Sequence, residues 1–257
     1  MASSKRPLAG RLALVTGCSR RIGIGFAIAD RLASFGADLL VHAYRPYDNK
    51  MPWGADPDGL NPLLSDLRRH GTRVESIEAD LTAPGAPEQV VATAFGHLDI
   101  VVANHAYSTM GALGTLIAEE IDRHLIVNVR ATMLLAQAFA AQHDGRDGGR
   151  LVLMISGQQL APMPGELAYV ASKGALVPLT MSLSAHLASS GVTVNAVNPG
   201  ATDTGYATPE LYEAVVAKEP QGRWGQPEDA ARLVCWLCTD EAGWVTGQVI
   251  NSTGGGP

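Results

Sequence analysis

The residues of this chain best equipped for chemistry are a serine, a tyrosine and a lysine in one stretch, SGQQLAPMPGELAYVASK, from Ser156 to Lys173. Tyr169 and Lys173 stand four apart in AYVASKGALVPLTMSLSAHL, a run that reads as helix, so they share one face. A lone tyrosine titrates near about 10 and releases its proton reluctantly at neutral pH. An ammonium one turn away is expected to stabilise the phenolate and draw it toward the working range of a general acid or base. Ser156 closes the apolar run Leu151 to Ile155 and would present its hydroxyl at a strand's carboxyl end, where open α/β sheets bind ligands. Together the three groups could meet one carbonyl. A tyrosine and a lysine at this spacing also occur as ordinary surface pairs, so the elements around them decide.

Those elements alternate. Short apolar runs at about Leu12–Thr16, Asp38–Tyr44, Val74–Ala79, Ile100–Ala103, Leu151–Ser156, Val192–Val197 and Gln248–Asn251 are separated by longer helical patterns. Such alternation is the mark of right-handed βαβ units, and it predicts a seven-stranded, doubly wound parallel sheet with helices on both faces, an α/β Rossmann fold. The 257 residues, 46% hydrophobic, fit one such domain spanning 1–257, with a flexible carboxyl end at 254–257. Pro178 falls inside the helix that carries Tyr169, where a proline removes a backbone donor, and a kink or π-type irregularity is expected there.

The first unit, LALVTGCSRRIGIGFAIADRLASFGADLLVHAY, runs strand, glycine-rich turn, helix, strand. Gly17 suits the tight turn, and Gly23 and Gly25 allow close approach of backbone to a pyrophosphate and of helix to strand. The helix amino terminus would then face the phosphates of a dinucleotide. A chain selecting NAD commonly ends its second strand with an acid that holds the ribose hydroxyls. Here Ala43 and Tyr44 take that place, Arg45 follows, and Arg20 and Arg21 project from the glycine loop. Guanidinium groups suit a 2′-phosphate, so NADP(H) is expected over NAD(H), with Asp48 the one acid able to reach back. The connection RPYDNKMPWGADPDGLNP, with four prolines and Trp53, is long enough to be a cofactor flap or a subunit contact.

Composition narrows the function classes. With a net charge of −6 and scattered Lys and Arg, the chain lacks the basic patch that nucleic acid or an anionic membrane requires. No apolar run follows the charged start MASSKRPLAG, so neither a leader nor a span is expected there, and a cytoplasmic setting is. Cys235 and Cys238 lie in a helical run, ARLVCWLC, that favours buried thiols over a zinc or redox pair, and Cys18 reads as a small filler. No metal site is expected.

With these pieces placed, the chain resembles the short-chain dehydrogenase/reductase family, most of all its 3-oxoacyl-carrier-protein-reductase branch, from Leu12 to Gly255. Ser156 and Tyr169 are thirteen apart (169 − 156), as in that branch, and Tyr-x-x-x-Lys follows at once. Asn128 in HLIVNVRATMLLAQAF matches the family's fourth active-site residue. The resemblance implies that Tyr169 exchanges the proton, Ser156 polarises the carbonyl, Lys173 also binds the nicotinamide ribose, and Asn128 holds a water linking the lysine to solvent. It gives cofactor roles by position to Gly17, Ser19, Arg20, Arg21, Ile22, Gly23, Gly25, Tyr44, Arg45, Asp80, Leu81, Asn104, Pro199, Gly200, Thr202 and Thr204. Asp80 matches the acid near the adenine, and NAVNPGATDT the segment that holds the carboxamide. Residues 203–222 resemble a mobile substrate lid.

Some motifs depart from the pattern. The family's Asn-Asn-Ala-Gly appears as Ala103, Asn104, His105 and Ala106, and His105 reads as a packing or substrate-wall residue. Five residues rather than three separate Gly17 from Gly23, a longer loop like that of the family's enoyl reductases. Those enzymes space Tyr and Lys by six residues, so the pair here favours carbonyl chemistry. The implied reaction is reversible hydride transfer between a nicotinamide and a small-molecule ketone or secondary alcohol, of 3-oxoacyl type. A cofactor-binding sensor or scaffold and a catabolic alcohol dehydrogenase are the alternatives. Relatives are commonly tetramers, so a homo-oligomer, tetramer or dimer, is implied. Gln158, Gln159, Met163, Glu166 and Tyr206 are expected at the substrate pocket, a mixed surface that names no substrate.

Overall fold

The computed structural model describes residues 6–256, so the first five residues and Pro257, part of the expected flexible end, lie outside it. Its strands are β1 (Leu12–Val15), β2 (Asp38–Ala43), β3 (Val74–Glu78), β4 (Leu98–Ala103), β5 (Gly149–Met154), β6 (Val192–Asn198) and β7 (Val249–Asn251). Among the described residues they form one seven-stranded sheet, ordered β3-β2-β1-β4-β5-β6-β7 and parallel throughout. The chain therefore folds as the expected doubly wound sheet, and the strand order reverses between β1 and β4. A crevice opens at such a switch point, above the carboxyl ends of the strands.

The two faces follow from strand periodicity. Ala13 and Val15 point to one side with Leu39 and Val41, where α1 (Ile24–Ser34), α3 (Asn61–Arg68) and α9 (Pro227–Leu237) cover them. A single turn, α2 (Arg45–Asp48), opens the long connection between β2 and α3. Leu12 and Leu14 point to the other side, under α4 (Ala86–Ala92), α6 (Ala131–Gln142) and α7 (Leu167–Leu187). Because both faces are covered, the central strands are apolar without a break. The run from Ala118 to Gln142, comprising α5 (Ala118–His124), a π-helical turn (Leu125–Arg130) and α6, is long and apolar enough by composition to cross a membrane. In the fold it is a core helix that buries Ala131, Leu135, Ala136 and Phe139 in the second layer.

Two local expectations need correction. α7 stays α-helical through Pro178, which lies on its exposed side, where water can take the carbonyl left without a donor. The π-type turn falls instead at Leu125–Arg130, around Asn128. Ser156 lies two residues beyond β5 rather than within it, although Ile155 N–H still bonds Val197 O at 2.9 Å. At the carboxyl end, Gly254 to Gly256 turn back, with Thr253 Oγ1 donating to Gly256 O at 2.8 Å. All three cysteines are buried and free, and burial pushes the Cys18 and Cys238 thiols up to about 12 and that of Cys235 upward as well.

Candidate active site

The site is assembled from the loops that leave the carboxyl ends of β1 to β6. After β1, Gly17 adopts a left-handed φ of 67°, and a Cβ there would lie 2.8 Å from His105 Cα. Gly25, in the first turn of α1, is pressed closer still: a Cβ would meet Gly17 O at 2.4 Å and Asn104 Nδ2 at 2.7 Å. Asn104 closes this knot by donating from Nδ2 to Thr16 O and Gly17 O, each at 3.1 Å. The surviving asparagine of the altered motif thus fastens the glycine loop to the end of β4.

His105 belongs to the same knot. Its Nδ1 lies 2.7 Å from Thr16 Oγ1 and its Nε2 3.1 Å from Val127 O, and burial drives its pKa down to about 3. A neutral ring with both nitrogens committed is a packing residue, the first of the two expected roles.

Alongside the glycine loop a cavity of about 360 Å³ is lined by Gly17, Ser19, Tyr44, Asp80, Leu81 and Asn104, among others. These are the positions expected to hold a dinucleotide, and the glycine cradle and crevice suit one. Asp80 Oδ1 accepts from Thr82 N–H at 2.8 Å, and the Tyr44 phenol stands near its carboxylate; with these partners its pKa falls despite burial. The cavity covers the adenosine end of the crevice and does not reach Tyr169.

The arginines expected there are otherwise engaged. Arg45 turns to Glu78 on the neighbouring strand at 3.5 Å, and Arg21 to Asp56 at 3.3 Å, with Asp58 and Asp66 at 3.8 and 4.0 Å. Spacing along the chain does not pair these acids of the long loop and of β3 with the arginines, yet the fold does, so neither guanidinium is free. Arg20 has no carboxylate partner among the described residues and sits 5.9 Å from the centroid of Trp53. Asp48 does reach back, accepting from Ser19 Oγ at 2.5 Å and from Trp53 Nε1 at 3.3 Å. Lys50 and Arg123 are the cations that line the cavity.

On the other side of the crevice lie the four positions expected to be reactive. Ser156 stands beside the Tyr169 hydroxyl, and Lys173, on the same face of α7, is buried and donates to Met154 O at 2.7 Å. Tyr169 is half-buried as a residue, and desolvation of its phenol, only partly offset by Ser156, raises its pKa to about 12. Burial lowers Lys173 to about 8. The expected lowering of the phenol by the cation is therefore not seen: the ammonium faces a carbonyl of β5, and burial dominates both groups.

Asn128 is fixed by the π-helical turn, which adds a residue to one helical turn and sets the side chain inward. Its Oδ1 accepts from Tyr107 N–H at 2.7 Å, and its Nδ2 donates to Tyr107 O at 2.9 Å and Ser172 Oγ at 2.8 Å. Both amide hydrogens are spent, so the water assigned by resemblance would have to be held by the main chain. What the side chain does is bolt the loop after β4 to the helix of Tyr169 and Lys173.

After β6, Gly200 takes a φ of 68° beside Thr253, Asn198 Oδ1 accepts from its N–H at 3.0 Å, and Thr202 is buried, its hydroxyl directed at Pro199 O and Gly200 O. Thr204 is the second residue of the segment 203–222, which contains α8 (Pro209–Val216). Tyr212 of α8 stacks on the buried Trp224, ring centroids 5.4 Å apart and planes at 8°, and accepts Trp224 Nε1–H at its carbonyl. Ile22 is exposed and faces Gly205 of this segment.

A family model described as enoyl-(acyl carrier protein) reductase matches residues 17–256. An uncharacterized oxidoreductase of Bacillus subtilis is 39% identical over 250 residues, 95% of this chain and 96% of that one. A hydroxynaphthalene reductase-like protein of Metarhizium brunneum is 34% identical over 99% of both chains. Among solved structures, an angucycline C-6 ketoreductase with bound NADP superposes with a TM-score of 0.86 at 32% identity, covering 97% of this chain and 96% of its own. The chain belongs to the short-chain dehydrogenase/reductase family. It is an oxidoreductase of that family, with the Rossmann fold its sequence implied.

Proposed function

We propose that the protein transfers hydride reversibly between NADP(H) and a small-molecule ketone or secondary alcohol, with Tyr169 moving the proton. The observation that carries this reading is the placement of Ser156 beside the Tyr169 hydroxyl, with Lys173 buried one turn along the same helix. A neutral phenol at neutral pH is the form that donates to an alkoxide, and a raised pKa keeps it so. Ser156 hydrogen-bonds the carbonyl oxygen, and Lys173, within the same buried pocket, supplies positive charge as negative charge develops. When bound, the nicotinamide supplies the hydride. Tyr-x-x-x-Lys favours carbonyl over enoyl substrates, despite the family model's description.

Arg20, Lys50 and Arg123 supply positive charge around the adenosine end, and the bound NADP of the angucycline ketoreductase supports the phosphorylated cofactor. The Arg45 and Arg21 pairs are partly exposed and worth about 0–1 kcal/mol each, so a 2′-phosphate with charge-assisted bonds competes with them. We assign the enzyme a cytosolic setting and a homo-oligomeric form. The exposed Leu125 and Met133 on the Asn128 helix and Met181 on α7 fit a subunit contact. A panel of ketones, including a 3-oxoacyl thioester, assayed by oxidation of NADPH and of NADH tests the reading. Turnover with a lower KM for NADPH is expected; a lower KM for NADH overturns the cofactor choice, and no turnover with either overturns the reaction.

A further inference from the structure

Five aromatic or imidazole rings from four separate segments surround the approach to Tyr169. His124 of α5 lies 6.5 Å from the Tyr169 ring, and Tyr107 of the β4 loop 4.8 Å from His124. Tyr47, from the long loop after β2, lies 5.5 Å from Tyr107, and Trp53 of the same loop 6.3 Å from Tyr47. Tyr206 of the lid segment is 6.3 Å from Trp53, and the charge of its phenol would be felt at Tyr169, at the other end of the series. Rings at such spacings ordinarily pack as an aromatic cluster inside a core. Here Tyr206 is 43% exposed, and Tyr47, Trp53 and Tyr107 are only partly buried, Tyr47 and Tyr107 also lining the cavity beside the glycine loop, so these rings border solvent rather than a closed core, with His124 buried among them.

Four of these rings have their polar atoms engaged by the scaffold. Tyr47 Oη bridges Ser108, donating to its carbonyl at 3.1 Å and accepting from its N–H at 3.2 Å. Tyr107 Oη donates to Glu120 at 2.9 Å, and Trp53 Nε1 donates to the buried Asp48. His124 accepts Thr109 N–H at Nε2, 3.2 Å away, and its Nδ1 lies 2.7 Å from Glu120 O. Each of these hydroxyls and ring nitrogens is spent on the scaffold, so the four rings are held in place and offer carbon edges and faces. Such a wall favours flat, weakly hydrated ring systems, because offset-stacked and edge-to-face contacts add to plain area burial.

We infer that the loop after β2 and the lid form an aromatic collar around Tyr169, and that the substrate is a ketone carrying a planar aromatic ring. This rests on the ketone reading above and adds a substrate class to it. It also accounts for the long connection at 44–60, in which Trp53 carries the collar from the β4 loop across to Tyr206, so that this connection and the lid grip one ligand.

The test uses the full-length protein with NADPH and two ketones of one skeleton, 2-tetralone and 2-decalone, which differ in whether the distal ring is aromatic or saturated. The expected result is a kcat/KM for 2-tetralone about tenfold or more above that for 2-decalone. Trp53→Leu and Tyr206→Leu should each cut that ratio roughly two- to tenfold, the worth of one aromatic contact. Trp244→Leu, which removes an indole that is 99% exposed and outside the collar, should leave the ratio as it is. A wild-type ratio within twofold of one, or a ratio unmoved by both collar variants, overturns the inference while ketone reduction stands. Loss of activity on both ketones in equal proportion would mean that the collar clamps the cofactor instead, and also overturns it. If no ketone is reduced, the ketone reading falls by itself, and calorimetry of 2-naphthol against decahydro-2-naphthol still decides the collar. Tighter 2-naphthol binding, weakened in both collar variants, supports it; equal binding of the two overturns it.

Discussion

Asn128→Ala removes three hydrogen bonds at once, and the geometry sets the size of the effect. The side chain is 1% exposed, bonds both polar groups of the Tyr107 backbone, and reaches Ser172 Oγ at 2.8 Å. A net bond is worth about 1 kcal/mol, and a donor or acceptor left unpaired in a part-buried place costs about 1–3. Ser172 keeps its bond to Tyr169 O at 2.8 Å, so the loss is concentrated on Tyr107. The expected destabilisation is about 3–5 kcal/mol, a large share of the roughly 5–15 kcal/mol that holds a protein folded. At about 2–4 °C per kcal/mol, this lowers Tm by roughly 10 °C. Thermal unfolding with and without NADPH measures the shift, and steady-state kinetics at a temperature where the variant is folded measure the rest. Because Asn128 joins the β4 loop to the helix of Tyr169, kcat should fall while KM for NADPH moves little. A Tm within about 2 °C of wild type, less than the shift of a single net bond, together with an unchanged kcat would refute the positioning role.

Gly25→Ala places a methyl 2.4 Å from Gly17 O and 2.7 Å from Asn104 Nδ2, so it should open the knot and weaken NADPH binding by more than tenfold, read by fluorescence titration. Wild-type affinity in that variant would sink the cradle assignment. Two buried groups also make stability depend on alkaline pH. Lys173, lowered to about 8 from its ordinary 10.5, binds fewer protons when folded, so its contribution grows as pH rises from about 8 to 10.5 and is lost as pH falls through 8. Tyr169, raised from 10 to about 12, has the opposite sign: its contribution is present below 10 and lost as pH rises toward 12. Denaturation measurements should therefore show wild type gaining stability relative to Lys173→Met as pH climbs from 8 to 10.5; a constant difference would contradict the burial of that ammonium.

The sheet is legible in the sequence because its strands are buried on both faces and read as unbroken apolar runs between helical patterns, as in LALV and GRLVLM. Ser156, Tyr169, Lys173 and Asn128 stand out by spacing and family likeness, and the fold brings the first three together at one rim. What spacing does not reveal is set by tertiary partners. Arg45 looks free for a phosphate until β3 places Glu78 beside it, and Arg21 until the long loop brings Asp56 near. The π-type turn at Asn128 leaves no sequence signal, whereas Pro178, the obvious irregularity, is absorbed on an exposed face. Tyr47, Trp53, Tyr107 and His124 escape notice as site residues because they sit in loops and a helix end with no shared period, and only the crossing of those segments makes them neighbours.

The phenol of Tyr169 is the group on which the proposed reaction turns, and Tyr169→Phe isolates it, keeping the ring while deleting the hydroxyl that Ser156 contacts. With NADPH and ketone both saturating, kcat for the Phe variant should drop by about 10²–10⁴, the usual worth of a general acid, while the dissociation constant for NADPH stays within about threefold. A Phe variant that turns over within tenfold of wild type would contradict the proton-transfer role assigned here.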